Sequence, residues 1–172
     1  MAATEITQQT VAPARWRADE GGTSVEFAVK TFWGLMTVHG HFDRFDGVYE
    51  VTPQGTTIEL TVDAASLDTG HATRDRHLRS SDFFHVAEHP QVRFTSTRVH
   101  YVTGELLHVV GRLEAAGNVV SVEFPATVRR LGDGLEIEAT TTVDPRELGM
   151  SSGKVGMIRP PALLHVKAKL SR

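Results

Sequence analysis

Apolar and polar residues alternate with period two in eight separate runs of this chain. They are Ser24–Lys30, Met36–Val51, Thr56–Asp63, Gln91–Tyr101, Leu106–Glu114, Val119–Arg130, Leu135–Val143 and Leu163–Leu170. Val25, Phe27 and Val29 share one face of the first run, with Glu26 and Lys30 on the other. Leu135, Ile137 and Ala139 likewise oppose Glu136 and Glu138. A strand with one dry and one wet face belongs to an antiparallel sheet. Thr103-Gly104, Gly117-Asn118, Asp133-Gly134 and Pro53-Gln54-Gly55 are turn signals between successive runs. No helical pattern of ten or more residues separates the strands, which argues against βαβ units. Eight such strands favour closure into a barrel, because closure removes exposed edges. The expected fold is therefore all-β: an eight-stranded antiparallel barrel, one domain over residues 16–172, after a polar, aperiodic tail at 1–15.

The long interruption at Ala64–Pro90 carries Ser and Asp before short mixed stretches, which read as helix N-caps. A short helical excursion is expected there, between strands three and four. An eight-stranded barrel is either filled by its own side chains or holds one small guest. Gly111, Ala126, Ala139, Thr141 and Ala168 fall on the inward face beside large apolar residues, and such small residues leave volume to be filled. From spacing alone both outcomes stand open.

Several chemistries are disfavoured. The chain has no cysteine, which removes disulfides, thiolate nucleophiles and Cys-ligated metals. Gly149-Met-Ser-Ser-Gly153 fits G-x-S-x-G, but that elbow needs a following helix and a later acid. Gly156 and Pro160-Pro161 prevent the helix, and no Asp or Glu follows Ser151. Asp43 and Asp46 are close in sequence but differ in strand parity. No carboxylate pair or His–carboxylate pair stands out for acid–base work, so no catalytic residue is assigned. Nine histidines are present, with His39 and His41 at i, i+2 and His71, His77, His85 and His89 in the long connection. No tight ligand spacing joins them. Scattered surface histidines are the expectation, so no metal and no cofactor is assigned; a His-based metal-binding protein or enzyme is the alternative.

A net charge of −3 and no dense basic stretch give no case for a nucleic-acid partner. No apolar run approaches the ~20 residues of a membrane span. Met1–Thr10 lacks the basic and apolar regions of a signal peptide, so a cytoplasmic protein without stable membrane insertion is expected. Trp33 sits in an apolar loop, Thr31–Met36, expected to pack across a barrel end or flank a ligand entrance together with Phe83 and Phe84.

Certain blocks resemble a known family. Ala65-Ser-Leu-Asp-Thr-Gly70, Arg74-Asp-Arg-His-Leu-Arg-Ser80, Asp82-Phe-Phe84, Pro90 and Val92-Arg-Phe-Thr-Ser-Thr97 are similar to the central block of the YceI-like proteins. Ser24–Lys30, Val38–Phe42, Phe45-Asp46-Gly47, Gly111-Arg112-Leu113 and Pro145–Met150 fit as well. One departure is Thr31, where the family usually has His. The resemblance implies a lipocalin-like barrel that binds a polyisoprenoid, an isoprenoid quinone or a similar long-chain amphiphile in its interior, and that is often dimeric. On that basis Phe27, Val29, Phe42, Leu60, Phe94, Val109, Phe124 and Ile137 are the expected apolar lining. Lys30, Arg74, His77 and Arg79 are the expected head-group contacts at one mouth. A filled barrel acting only as a structural or interaction module is the remaining rival.

Overall fold

The computed structural model describes residues 13–31, 34–150 and 158–172. The described residues form one eleven-stranded antiparallel sheet: β1 (Ala14–Ala18), β2 (Ser24–Thr31), β3 (Met36–Phe42), β4 (Phe45–Thr52), β5 (Gly55–Asp63), β6 (Leu67–Asp68), β7 (Gln91–Tyr101), β8 (Leu106–Ala115), β9 (Asn118–Leu131), β10 (Gly134–Val143) and β11 (Ile158–Ser171). β1 pairs with both β4 and β11, which closes the sheet on itself. β2 pairs with β11 on one side and β3 on the other. β1 with β2, and β3 with β4, are thus two broken halves of single wall strands, and β6 is a two-residue bridge on β3. The wall has eight members, as the alternation predicts. Helix α1 (Ala72–Arg79) lies between β5 and β7, which places the excursion between the third and fourth wall strands.

The hairpins follow from turn chemistry. At β8–β9 the two loop residues Ala116 and Gly117 have φ of 50° and 79°. Positive φ at both central positions is what a type I′ hairpin turn requires. β1 starts at Ala14, two residues ahead of the expected domain boundary; residues 1–12 lie outside the described residues, as do Phe32 and Trp33 and Ser151–Met157.

Apolar packing concentrates toward the two barrel ends. At the end that carries the β4–β5, β7–β8 and β9–β10 turns, Trp16, Tyr49, Leu107, Val109 and Val128 form a buried cluster. Trp16 and Tyr49 meet with ring centroids 5.7 Å apart. At the other end Phe83, Leu113, Ala115, Val143, Leu148 and Met150 pack together, with Leu78 and Phe84 against them. Phe83 comes from the excursion, which therefore caps the barrel from outside the ladder.

Candidate functional site

Between the two packed ends lies a cavity of about 170 Å³. Phe42, Leu60, Phe94, Phe124 and Ile137, five of the eight residues expected in the apolar lining, border it. Ala126, Ala139, Thr141 and Ala168 line it too, so the inward small residues do leave space. Gly111 does not contribute: the Phe94 ring lies over it, and a Cβ there would be 2.6 Å from ring atoms. Three expected lining residues lie elsewhere. Phe27 covers its cross-strand partner Gly40 and packs on Phe42 at 5.5 Å. Val29 packs with Val38 and Ala162 near the β2–β3 hairpin. Val109 is fully buried in the cluster around Trp16. Tyr49, Val25 and Val62 take their place in the lining. Burial holds the Tyr49 hydroxyl above the ordinary phenol range, and its hydrogen bond with Tyr101 adds to the shift.

Arg74 and Arg79 of the excursion hold the fold together rather than facing the cavity. Arg74 Nε donates to Thr69 Oγ1 and its guanidinium also donates to the Thr69 carbonyl, both at 2.8 Å. Arg79 donates to the carbonyls of Ala65 at 3.0 Å and Leu67 at 2.6 Å. Buried Asp75 accepts the Thr69 amide at 2.9 Å and the Thr69 hydroxyl. His77 is 3.3 Å from Asp82 and edge-on to Phe83. Lys30 is exposed on β2. The block Leu67-Asp-Thr-Gly70 with Arg74-Asp-Arg-His-Leu-Arg79 is therefore a clamp that pins α1 to β6. Arg74 and Arg79 are not free cations at a mouth, because an extended backbone segment between β5 and α1 needs its carbonyls satisfied. Asp75→Ala, which strands the Thr69 amide, is expected to lower stability by about 1–3 kcal/mol, read as a lower urea midpoint at unchanged slope.

The wall is interrupted at one place. Between β1/β2 and β3/β4 the last ladder pair on one side is Arg17–Val48 and the first on the other is Glu26–His41. The segments between bond away from each other. Asp19 donates its amide to the Lys169 carbonyl of β11 at 2.8 Å, and the Thr23 hydroxyl reaches the same oxygen. Across the gap the Asp43 and Arg44 amides donate to Ser66 Oγ at 3.1 and 3.0 Å. The cavity reaches this interruption, where Ala18, Thr23, Glu26, Gly47 and Val48 border it, with Glu59 beyond on β5. It thus opens toward the side of the barrel.

The histidines do not converge on His39 and His41 with the connection histidines. His39 is exposed on β3. His71 caps α1 by accepting the Arg74 amide. On the outer wall His165 lies 3.0 Å from Glu138 and 3.3 Å from Glu26. Glu138, and then Glu26, hold its imidazole above the usual histidine range, and His165 holds the Glu138 carboxyl below the usual carboxylate range. These are surface ion pairs with a small energetic role.

The chain matches the YceI-like domain over residues 16–170. It is 33% identical over 162 residues to a UPF0312 protein of Pectobacterium carotovorum, covering 84% of this chain and 83% of that one. It is 34% identical over 133 residues to Protein YceI of Salmonella arizonae, covering 74% and 69%. Among solved structures, BcnA of Burkholderia cenocepacia superposes with a TM-score of 0.81 at 19% identity, over 90% of this chain and 99% of that one. A polyisoprenoid binding domain from Saccharophagus degradans superposes at 0.75 with 14% identity, over 93% and 99%. At those identities the structural likeness speaks for the fold alone, whereas the match across residues 16–170 and the closer sequence relatives establish kinship: this chain belongs to the YceI-like domain family.

Proposed function

We propose that this protein binds one long-chain amphiphile, a polyisoprenoid, isoprenoid quinone or fatty-acid derivative, with its apolar tail in the barrel. The observation that carries this reading is the central cavity, walled by Phe, Leu, Ile and Ala side chains with packed clusters on either side. The polyisoprenoid binding domain of S. degradans shares the architecture.

Magnitudes sharpen the reading. A cavity of about 150 Å³ holds benzene, so 170 Å³ admits about one ring or six chain carbons. Six methylenes at about 0.8 kcal/mol each contribute about 5 kcal/mol. Association costs about 4–15 kcal/mol, so a guest confined to this volume binds weakly. Tight binding of a long chain requires the barrel to widen. The wall interruption beside Ala18 and Gly47 is where widening breaks no ladder hydrogen bond. A head group emerging there meets Thr23 rather than the cations of α1. The Thr23 hydroxyl can donate to or accept from a hydroxyl or quinol head group.

The test is extraction of the purified protein with organic solvent and mass spectrometry, followed by titration of the delipidated chain with farnesol and farnesyl phosphate. One apolar molecule released per chain, and saturable binding of farnesol, are expected. No extractable lipid together with no farnesol binding would overturn the assignment.

A further inference from the structure

The segment after α1 folds into two overlapping tight turns. Ser80 accepts the amides of Phe83 at 3.0 Å and His85 at 2.9 Å, and the Arg79 carbonyl accepts the Val86 amide at 3.1 Å. His85 then takes φ of 49°, a left-handed conformation that few side chains adopt. Its carbonyl accepts the amides of Glu88 at 3.1 Å and His89 at 2.8 Å. The second of these is an i→i+4 bond. This closed turn from His85 to His89 brings the two side chains together, with Glu88 beside them. The two imidazoles stand edge-on with centroids 5.5 Å apart. One donor atom from each of His85, Glu88 and His89 lies within 4.8 Å of the other two.

His89 is also held from the opposite side. Its ring lies over Gly117 of the β8–β9 turn, where a Cβ would be 2.8 Å from ring atoms. Two histidines and a carboxylate, fixed by a bonded turn and a neighbouring hairpin, make three of the four ligands of a tetrahedral zinc site with the fourth open to water. Bonds of about 2.0–2.2 Å to the metal need the donors to draw in by roughly an ångström, within reach of side-chain rotation. Two imidazoles select a borderline transition ion over calcium or magnesium. A second group, His41 with Asp43 and Asp68, is less suited: His41 is already paired with Asp43 at 3.2 Å, and Asp68 accepts the Gly70 amide at 2.7 Å.

We propose that His85, Glu88 and His89 form a zinc-binding site on the outside of the barrel, independent of the interior cavity. A bound ion would cross-link the turn that follows Phe83 and Phe84, the side chains that cap that barrel end.

The test uses the full chain freed of any affinity tag and stripped with chelator, titrated with Zn²⁺ by calorimetry and with Co²⁺ by absorbance. The comparison variants are His85→Asn, which tolerates the left-handed backbone, His89→Gln and, as a control, His41→Asn. One equivalent bound with a tetrahedral cobalt spectrum is expected. Each of the two site variants should weaken affinity by at least the 10–100-fold that loss of a mere supporting partner costs. His41→Asn should leave it unchanged. Circular dichroism confirms that each variant is folded. Absence of stoichiometric binding, or binding that His41→Asn alone removes, overturns the site.

Discussion

Replacing Ala139 with phenylalanine should abolish uptake of an apolar guest while the barrel stays folded. Ala139 faces Ala126 across the β9–β10 ladder and Val166 across β10–β11, and all three line the cavity. A benzyl ring needs about the space of benzene, which a cavity of about 150 Å³ holds, so one phenylalanine nearly fills 170 Å³. The new ring stabilises by about 1.5–3 kcal/mol through burial, against about 1–3 kcal/mol for repacking its neighbours. Stability should therefore change little. Guest affinity should fall more than about 100-fold, about 2.7 kcal/mol, which is less than the full 5 kcal/mol of six buried carbons. Farnesol titration with thermal melting reads both quantities. Undiminished uptake in a folded variant would show that the guest binds outside this cavity.

Pinning the wall interruption should trap or exclude the guest. An added Cβ on Gly47 would lie 3.2 Å from the Cβ of Ala18, a few tenths of an ångström short of the 3.5–4.5 Å that a disulfide spans. The chain has no other cysteine, so A18C/G47C forms a single, defined crosslink. Under reducing conditions the double variant should take up farnesol as the parent does. After oxidation, uptake and release should slow by more than about 100-fold, an added barrier of about 2.7 kcal/mol, and reductant should restore them. Equal rates in both states would place the route elsewhere in the wall. No uptake in either state, with the fold intact and the parent competent, would mean that the substitutions themselves damage the cavity. Failure of the parent as well would remove the binding function rather than the route.

The clamp around Asp75 shows how a specific motif can be read for the wrong chemistry. Arg74, His77 and Arg79 are basic residues clustered in a long connection, which resembles an anion site in one dimension. In three dimensions the guanidinium groups of Arg74 and Arg79 satisfy carbonyls that the β5–α1 segment leaves outside the ladder. The reverse holds for His85-Val-Ala-Glu-His89. Its histidines stand out as two of nine, but their alignment depends on a turn closed by the Ser80 and His85 carbonyls, which spacing alone does not reveal.

Strand number, the excursion between the third and fourth wall strands, the hairpin turns and most of the small inward residues were legible in the one-dimensional pattern, because period-two alternation and turn chemistry are local properties of the backbone. The parity of the second wall strand was not. Read as one run, Met36–Val51 puts Phe42 and Tyr49 on opposite faces, yet both line the cavity. The break at Asp43–Arg44 shifts the alternation by one residue, and a one-residue shift turns every following side chain to the other face. The same reset occurs between Trp16 and Val25. Because β1/β2 and β3/β4 are adjacent, the two resets together open the wall, and adjacency of segments that distant residues hold in place is a property of the closed sheet. Sequence determined which faces are apolar; only tertiary structure decided where those faces leave space and where that space meets solvent, since both depend on what Lys169 and Ser66 hold back from across the fold.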